Sequence, residues 1–392
     1  MELGYPQSLQ DIATDGAIAQ SDIDASTAAI SGPIAGIEFS GPNPEDEDRD
    51  ALVELRIHHQ DGRTSAGTGT RAALIRDNVW HWRTARVESF PDIAEFSQEL
   101  PGDDIHVKAT RTLFGNAQVF LAPHADGATS VVAMNGTPPT GPLRSALVAG
   151  AAQLSPELDT TRAVAAFAAS RGLGFAETDT GMNLSDGTTI IIEDDAISHV
   201  GSGLTLRDTI ADGVLTSTEH QFLFGGRYPD ATVQLNLAAG RALVQPNNQH
   251  PFEVAAQVLA TVSHGTATWA WADQGLAGSP AAQAAGSVRN FGFNNGIIAL
   301  LRPTFPETEL ENLVTASKPI TGMWTHTTAQ LSPDTSAIVL LSGPELSLPA
   351  PSQAAVDATV NSLTDDIDRP RALAAYAHNR QLTLGADGKI TV

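Results

Sequence analysis

The sequence predicts an α+β protein in which one domain is written twice in tandem. Three observations carry this reading. Four of the five tryptophans stand in two short stretches, Val79-Trp80-His81-Trp82-Arg83 and Thr268-Trp269-Ala270-Trp271-Ala272. In each, the pair is two residues apart, the spacing that turns both rings to one face of a strand. A helix-like segment recurs near the start of each half, and another recurs near each end, with the same order of elements between them.

The first element is a short helix over 8–16, where Leu9, Asp11, Asp15 and Gly16 recur as Leu206, Asp208, Asp212 and Gly213. Ser8 and Thr205 suit N-caps, and the glycines suit the position just past a helix end. Alternating runs at 51–57 and at 231–237 follow and predict strands, as does Arg241-Ala242-Leu243-Val244. Residues 41–50 (Pro-Asn-Pro-Glu-Asp-Glu-Asp-Arg within them) read as an exposed acidic loop. The tryptophan strands come next. His264-Gly265 and Arg76-Asp77-Asn78 provide tight hairpins between flanking strands. Helices are predicted at 92–100, 280–290 and 307–316, and Asn295-Gly296 is read as a hairpin turn. Residues 130–136 and 337–343 predict a matching β-pair. The clearest recurrence is last: Asp159, Arg162, Ala163, Ala165, Ala166 and Ala168 return as Asp368, Arg371, Ala372, Ala374, Ala375 and Ala377. Aspartate is a good N-cap, and Pro370 falls in the first turn, where proline is tolerated. β-like tails at 173–184 and 382–392 close the halves. The domains are placed at 1–185 and 204–392, with 186–203 as a breaker-rich linker.

Composition limits the function. The chain has 392 residues, 45 acidic against 22 basic, for a formal charge of −23. Such a field repels phosphate backbones and anionic membranes, so neither nucleic acid nor membrane is expected as partner. Cysteine is absent, which excludes disulfides, thiolate metal sites and a cysteine nucleophile. The first residues lack a basic start and an apolar run, and no apolar run reaches membrane-spanning length. A cytoplasmic location is the expectation.

The T-W-x-W-A stretch, with the Phe291-Gly292 to Gly296 segment and the late β-pair behind it, resembles an uncharacterised bacterial family, a domain of unknown function. Thr268-Trp269-Ala270-Trp271-Ala272 fits best. In the first half His81 and Arg83 replace the alanines, and the Phe-Gly segment is missing. The resemblance covers the middle of each half, as a tandem duplication. It implies an α+β domain and no activity.

Chemistry is sparse. No GxSxG, phosphate-loop, HExxH or full GxGxxG motif occurs. Gly201-Ser202-Gly203 could cradle a phosphate but is read as linker. His58 and His59 are adjacent, so on a strand they face opposite ways. Asp104 and His106, read as one strand face, could form a three-ligand zinc site with His81 or His124; the reading taken is surface or satisfied core histidines. The recurring Asp11/Asp15 and Asp208/Asp212 pairs could do acid–base work or bind a cation, but are read as a solvated helix face. Asp159 with Arg162, and Asp368 with Arg371, read as a cap with a local ion pair. The tryptophans are read as core anchors, not a stacking platform. No catalytic residue, cofactor or metal is therefore assigned. The favoured function is a non-enzymatic binding or interaction protein whose partner is another protein. The alternative is a hydrolase or metal-dependent enzyme with its site in the first copy or the inter-domain cleft.

Overall fold

The computed structural model describes residues 3–392 and bears out the α+β class. The chain divides into two compact units, ending at Gly201 and beginning at Ser202. In the first unit the elements run α1 (Leu9–Ser31), β1 (Ile34–Ser40), β2 (Leu52–His59), β3 (Thr64–Arg76), β4 (Val79–Trp82), β5 (Leu100–Pro101), α2 (Asp104–Leu113), β6 (Val119–Pro123), β7 (Thr129–Met134), α3 (Leu143–Gln153), α4 (Thr160–Ser170), β8 (Phe175–Thr178), β9 (Gly181–Leu184), β10 (Thr189–Glu193) and β11 (Ala196–Val200). The second unit runs α5 (Leu206–Arg227), β12 (Thr232–Asn236), β13 (Arg241–Gln245), β14 (Phe252–Ser263), β15 (Thr266–Trp269), α6 (Gln283–Asn295), β16 (Thr304–Pro306), α7 (Leu310–Thr321), β17 (Thr325–Ser332), β18 (Thr335–Ser342), α8 (Gln353–Asn361), α9 (Arg369–Arg380), β19 (Thr383–Leu384) and β20 (Ile390–Thr391).

Each unit is organised on one long strand. In the first, β3 pairs β2 along its first half, β4 along its last residues, and β7 on its other side. In the second, β14 pairs β13, then β15, with β18 opposite. A β-bulge marks each changeover, at Ala72 and at Leu259. The bulge leaves a carbonyl for the strand that follows: Arg83 N–H donates to Ala72 O at 2.8 Å, and Ala270 N–H to Leu259 O at 3.0 Å. Such an extra residue bends the strand and raises its twist, which lets one strand serve two hairpins. The tight turns have their expected chemistry. Asp77-Asn78 and His264-Gly265 all have positive φ, as a two-residue primed turn requires.

Several sequence readings are corrected. The opening helices are far longer than 8–16 and 205–213, because Gly16 and Gly213 lie inside α1 and α5 and do not end them. Residues 92–100 hold a three-residue 3-10 turn and the first residue of β5 in place of a helix, and the helix follows as α2. Asn295-Gly296 closes a helix, not a hairpin: Gly296 is left-handed and its N–H returns to Gly292 O at 2.7 Å. The stretch 186–203 is no linker through most of its length. It carries β10 and β11, with Ile190, Ile197 and Val200 buried, in a four-stranded sheet ordered β11-β10-β9-β8. No helix among the described residues is long and apolar enough to cross a membrane.

The tryptophans lie where the long strands turn. Trp80 and Trp269 are buried, whereas Trp82 and Trp271 are half-buried. Trp271 lies beyond the end of β15, in a turn, with the Arg289 guanidinium 4.6 Å from its ring centre.

Candidate functional site

The residues that recur between the halves bind helices together. Asp159 and Asp368 are N-caps, as the sequence suggests, accepting from Arg162 N–H at 2.9 Å and from Arg371 N–H at 3.1 Å. The arginine side chains, however, leave their own helix. Arg162 reaches α1, with Nη2 at 2.8 Å from Asp15 Oδ2. Arg371 reaches α5, with Nη2 at 2.7 Å from Asp212 Oδ2 and Nη1 at 3.0 Å from Asp208 Oδ1. A further pair lies deeper in each unit: Arg171 with Asp22 at 2.6 Å, and Arg380 with Glu219 at 2.9 Å. Of the carboxylates read as a solvated face, Asp15, Asp208 and Asp212 are thus partnered by arginine from the closing helix, whereas Asp11 accepts from Gln7 N–H at 2.7 Å. Burial raises the pKa of Asp15 against the opposing effect of Arg162.

The histidine grouping in the first unit is not assembled. Asp104 and His106 are on α2, not a strand. His106 is buried, with Nδ1 2.6 Å from Asp103 Oδ1 and its ring 5.0 Å from that of Trp80. His124 Nε2 lies 2.8 Å from Ser130 Oγ. His58 approaches Glu38 at 3.1 Å while His59 meets Ser65 Oγ at 2.9 Å on the other face of β2. Among the described residues no group of three histidine, aspartate or glutamate side chains could hold a metal. Gly203, from the glycine-rich stretch, packs against Asn295, where a Cβ would meet its carbonyl oxygen at 2.9 Å.

The chemically distinctive place is in the second unit and was not read from the sequence. Helices α5 and α7 cross at Gly213, where an added Cβ would stand 2.6 Å from Thr315 O and 2.9 Å from Pro319 Cδ. Pro319 has no N–H, so the Thr315 carbonyl lacks its partner one turn on and can turn toward the glycine. One turn beyond the crossing, Lys318 Nζ lies 2.5 Å from Ser217 Oγ. Lys318 is fully buried, and among the described residues no carboxylate pairs with it. Burial alone lowers its pKa to about 7.

Ser217 forms part of the wall of a cavity of about 500 Å³. Helical spacing sets the lining: Val214, Ser217, Thr218 and Gln221 share one stripe of α5, and Leu310, Val314 and Thr315 one stripe of α7. Ile338 and His326 come from the sheet, and Glu307 and Glu311 add acidity. Gln221 fixes His326 through the backbone, accepting from its N–H at 3.0 Å and donating to its carbonyl at 3.1 Å. The His326 ring keeps a buried Nδ1 without a hydrogen-bond partner. Burial, and then the charge of Lys318, hold His326 to a pKa of about 4, so the ring is neutral at pH 7. The corresponding crossing in the first unit is closed by polar contacts: Gln20 Nε2 donates to Lys108 O and to Thr112 Oγ1, each at 3.0 Å.

The sequence contained one signal for this site. Lys318 is one of three lysines and sits in Leu313-Val314-Thr315-Ala316-Ser317-Lys318-Pro319-Ile320, an otherwise uncharged helical stretch. Its serine partner lies on a helix 101 residues earlier, beyond any spacing rule.

Residues 207–344 match the model of a family of unknown function (DUF6882), a span that includes both Ser217 and Lys318. A domain of unknown function is therefore found at residues 207–344. No curated protein and no solved structure matches the chain.

Proposed function

We propose that the protein is a binding protein, built from a tandemly duplicated α+β unit, whose second unit takes a small uncharged compound with a carbonyl head and a short apolar body. The observation that carries this is the cavity of about 500 Å³ with Ser217 at its wall, hydrogen-bonded from behind by the fully buried Lys318. That volume is in the range of small-molecule sites, which are mostly apolar with a few placed polar groups. Val214, Leu310, Val314 and Ile338 give the apolar walls, and Glu307 and Glu311 disfavour an anion. A carbonyl can accept from Ser217, Thr218 or the imidazole of His326.

The duplication is supported by the shared strand order, the bulges at Ala72 and Leu259, and the arginine pairs at Arg162/Arg371 and Arg171/Arg380. The first unit, closed by Gln20 at its crossing, serves as scaffold in this reading.

Saturation-transfer NMR with hexanamide, a neutral and hydrolysis-resistant probe, tests the proposal. Transfer to the probe is expected with the native protein and is lost in Thr218→Trp, where a half-buried wall residue is replaced by a ring that fills the cavity. Absence of transfer with the native protein, or transfer unchanged by Thr218→Trp, would overturn it.

A further inference from the structure

We propose that Ser217 is an acyl-accepting nucleophile and Lys318 its general base, so that the second unit cleaves small carboxylic esters in the cavity that Ser217 lines. The inference rests on the binding reading above and adds chemistry to it. A serine hydroxyl is a weak nucleophile until an adjacent base takes its proton, and lysine fills that role when burial leaves it neutral. Lys318 Nζ is 2.5 Å from Ser217 Oγ, with no carboxylate to hold it charged. The other titratable groups facing it are His220 of α5 and His326 of β17; burial first, and Lys318 second, keep both near a pKa of 4, so neither is a cation when Lys318 loses its proton. Arg380 of α9, the next cation, is held by Glu219.

The reaction balances without a cofactor. The Ser217 proton passes to Lys318 Nζ as Oγ bonds to the ester carbonyl carbon. The carbonyl oxygen becomes an oxyanion, and the hydroxyl of half-buried Thr218 is a donor on the wall. The carbon–oxygen bond to the alcohol then breaks, and the alcohol leaves with the proton from Lys318. Water attacks the acyl-serine, giving its proton to Lys318. The Ser217–acyl bond breaks, the proton returns to Oγ, and a carboxylic acid departs. The net change is ester plus water to acid plus alcohol.

The test uses the full chain, diisopropyl fluorophosphate as covalent probe and p-nitrophenyl butyrate as substrate. The expected result is one adduct, mapped to Ser217, and turnover above buffer that rises with pH through about 7, where Lys318 loses its proton. Lys318→Met and Lys318→Arg should each lower turnover at least ~100-fold, in line with the loss of a general base. Ser217→Ala should remove adduct and turnover. If hexanamide binds the native protein but no adduct forms at Ser217, the nucleophile is disproved and the binding reading stands. An adduct or turnover that survives Ser217→Ala also overturns it. If hexanamide does not bind at all, both fall.

Discussion

Gly213 on α5 and Thr315 on α7 meet so closely that a methyl group at position 213 would stand 2.6 Å from the Thr315 carbonyl oxygen. Neither the backbone oxygen nor the Pro319 ring beside it can yield as a flexible side chain would. Gly213→Ala should therefore force the helices apart and cost about 1–3 kcal/mol. Gly225→Ala, on the same helix with nothing within 4 Å, should be neutral or stabilising by up to about 1 kcal/mol. Urea denaturation of the two variants checks this, and equal effects would refute the close crossing.

Lys318 makes stability depend on pH. Its folded pKa, about 7, lies below the ordinary value of 10.5. Between these values the unfolded chain binds more protons than the folded one, so unfolding free energy rises with pH across that window. The cost of burying the ammonium is complete below pH 7 and is relieved above it, by up to about 1.4 kcal/mol per pH unit. Denaturation of native protein and Lys318→Met at pH 7, 8 and 9 should show the slope in the first and its loss in the second.

Glu219 gathers two partners from α9. Tyr376 donates its hydroxyl at 2.8 Å, and Arg380 Nη2 donates at 3.1 Å. The carboxylate and guanidinium are both nearly buried. Arg380→Met should cost about 3–5 kcal/mol, because it strands a buried carboxylate. Tyr376→Phe removes one hydrogen bond and should cost about 1 kcal/mol. Thermal unfolding that ranks the two in the reverse order would contradict this.

The two tryptophans of the second unit should differ. Trp269 is fully buried, with the Phe305 ring 5.1 Å away, and Trp269→Ala should cost about 3–5 kcal/mol. Trp271 is half-buried against Arg289, so Trp271→Ala should cost clearly less. Calorimetric melting of both variants is the check.

The sequence revealed elements whose signals are local and hid those that depend on distant partners. Asp159 and Asp368 were legible as caps because a cap satisfies N–H groups within its own turn. The side chains of Arg162 and Arg371 were not, since the carboxylates they reach stand on helices far earlier in the chain. Gly16 and Gly213 were misread because a glycine marks a helix end or a close crossing equally well. Which one applies is settled by whether another helix arrives. The tryptophan spacing placed the short strands β4 and β15 but could not show that β15 ends at Trp269. The site itself is a meeting of two helices, and only the isolated lysine among apolar neighbours hinted at it.

The arginine pairs also set an order of assembly on the ribosome. Asp15 waits for Arg162, 147 residues later, and Asp212 for Arg371, 159 residues later. At about 5–20 residues per second, each delay is on the order of ten seconds. Throughout it the opening helix exists in the nascent chain without the helix that neutralises its carboxylates. Each unit is therefore completed late and as a whole, its first helix locked by nearly the last one synthesised.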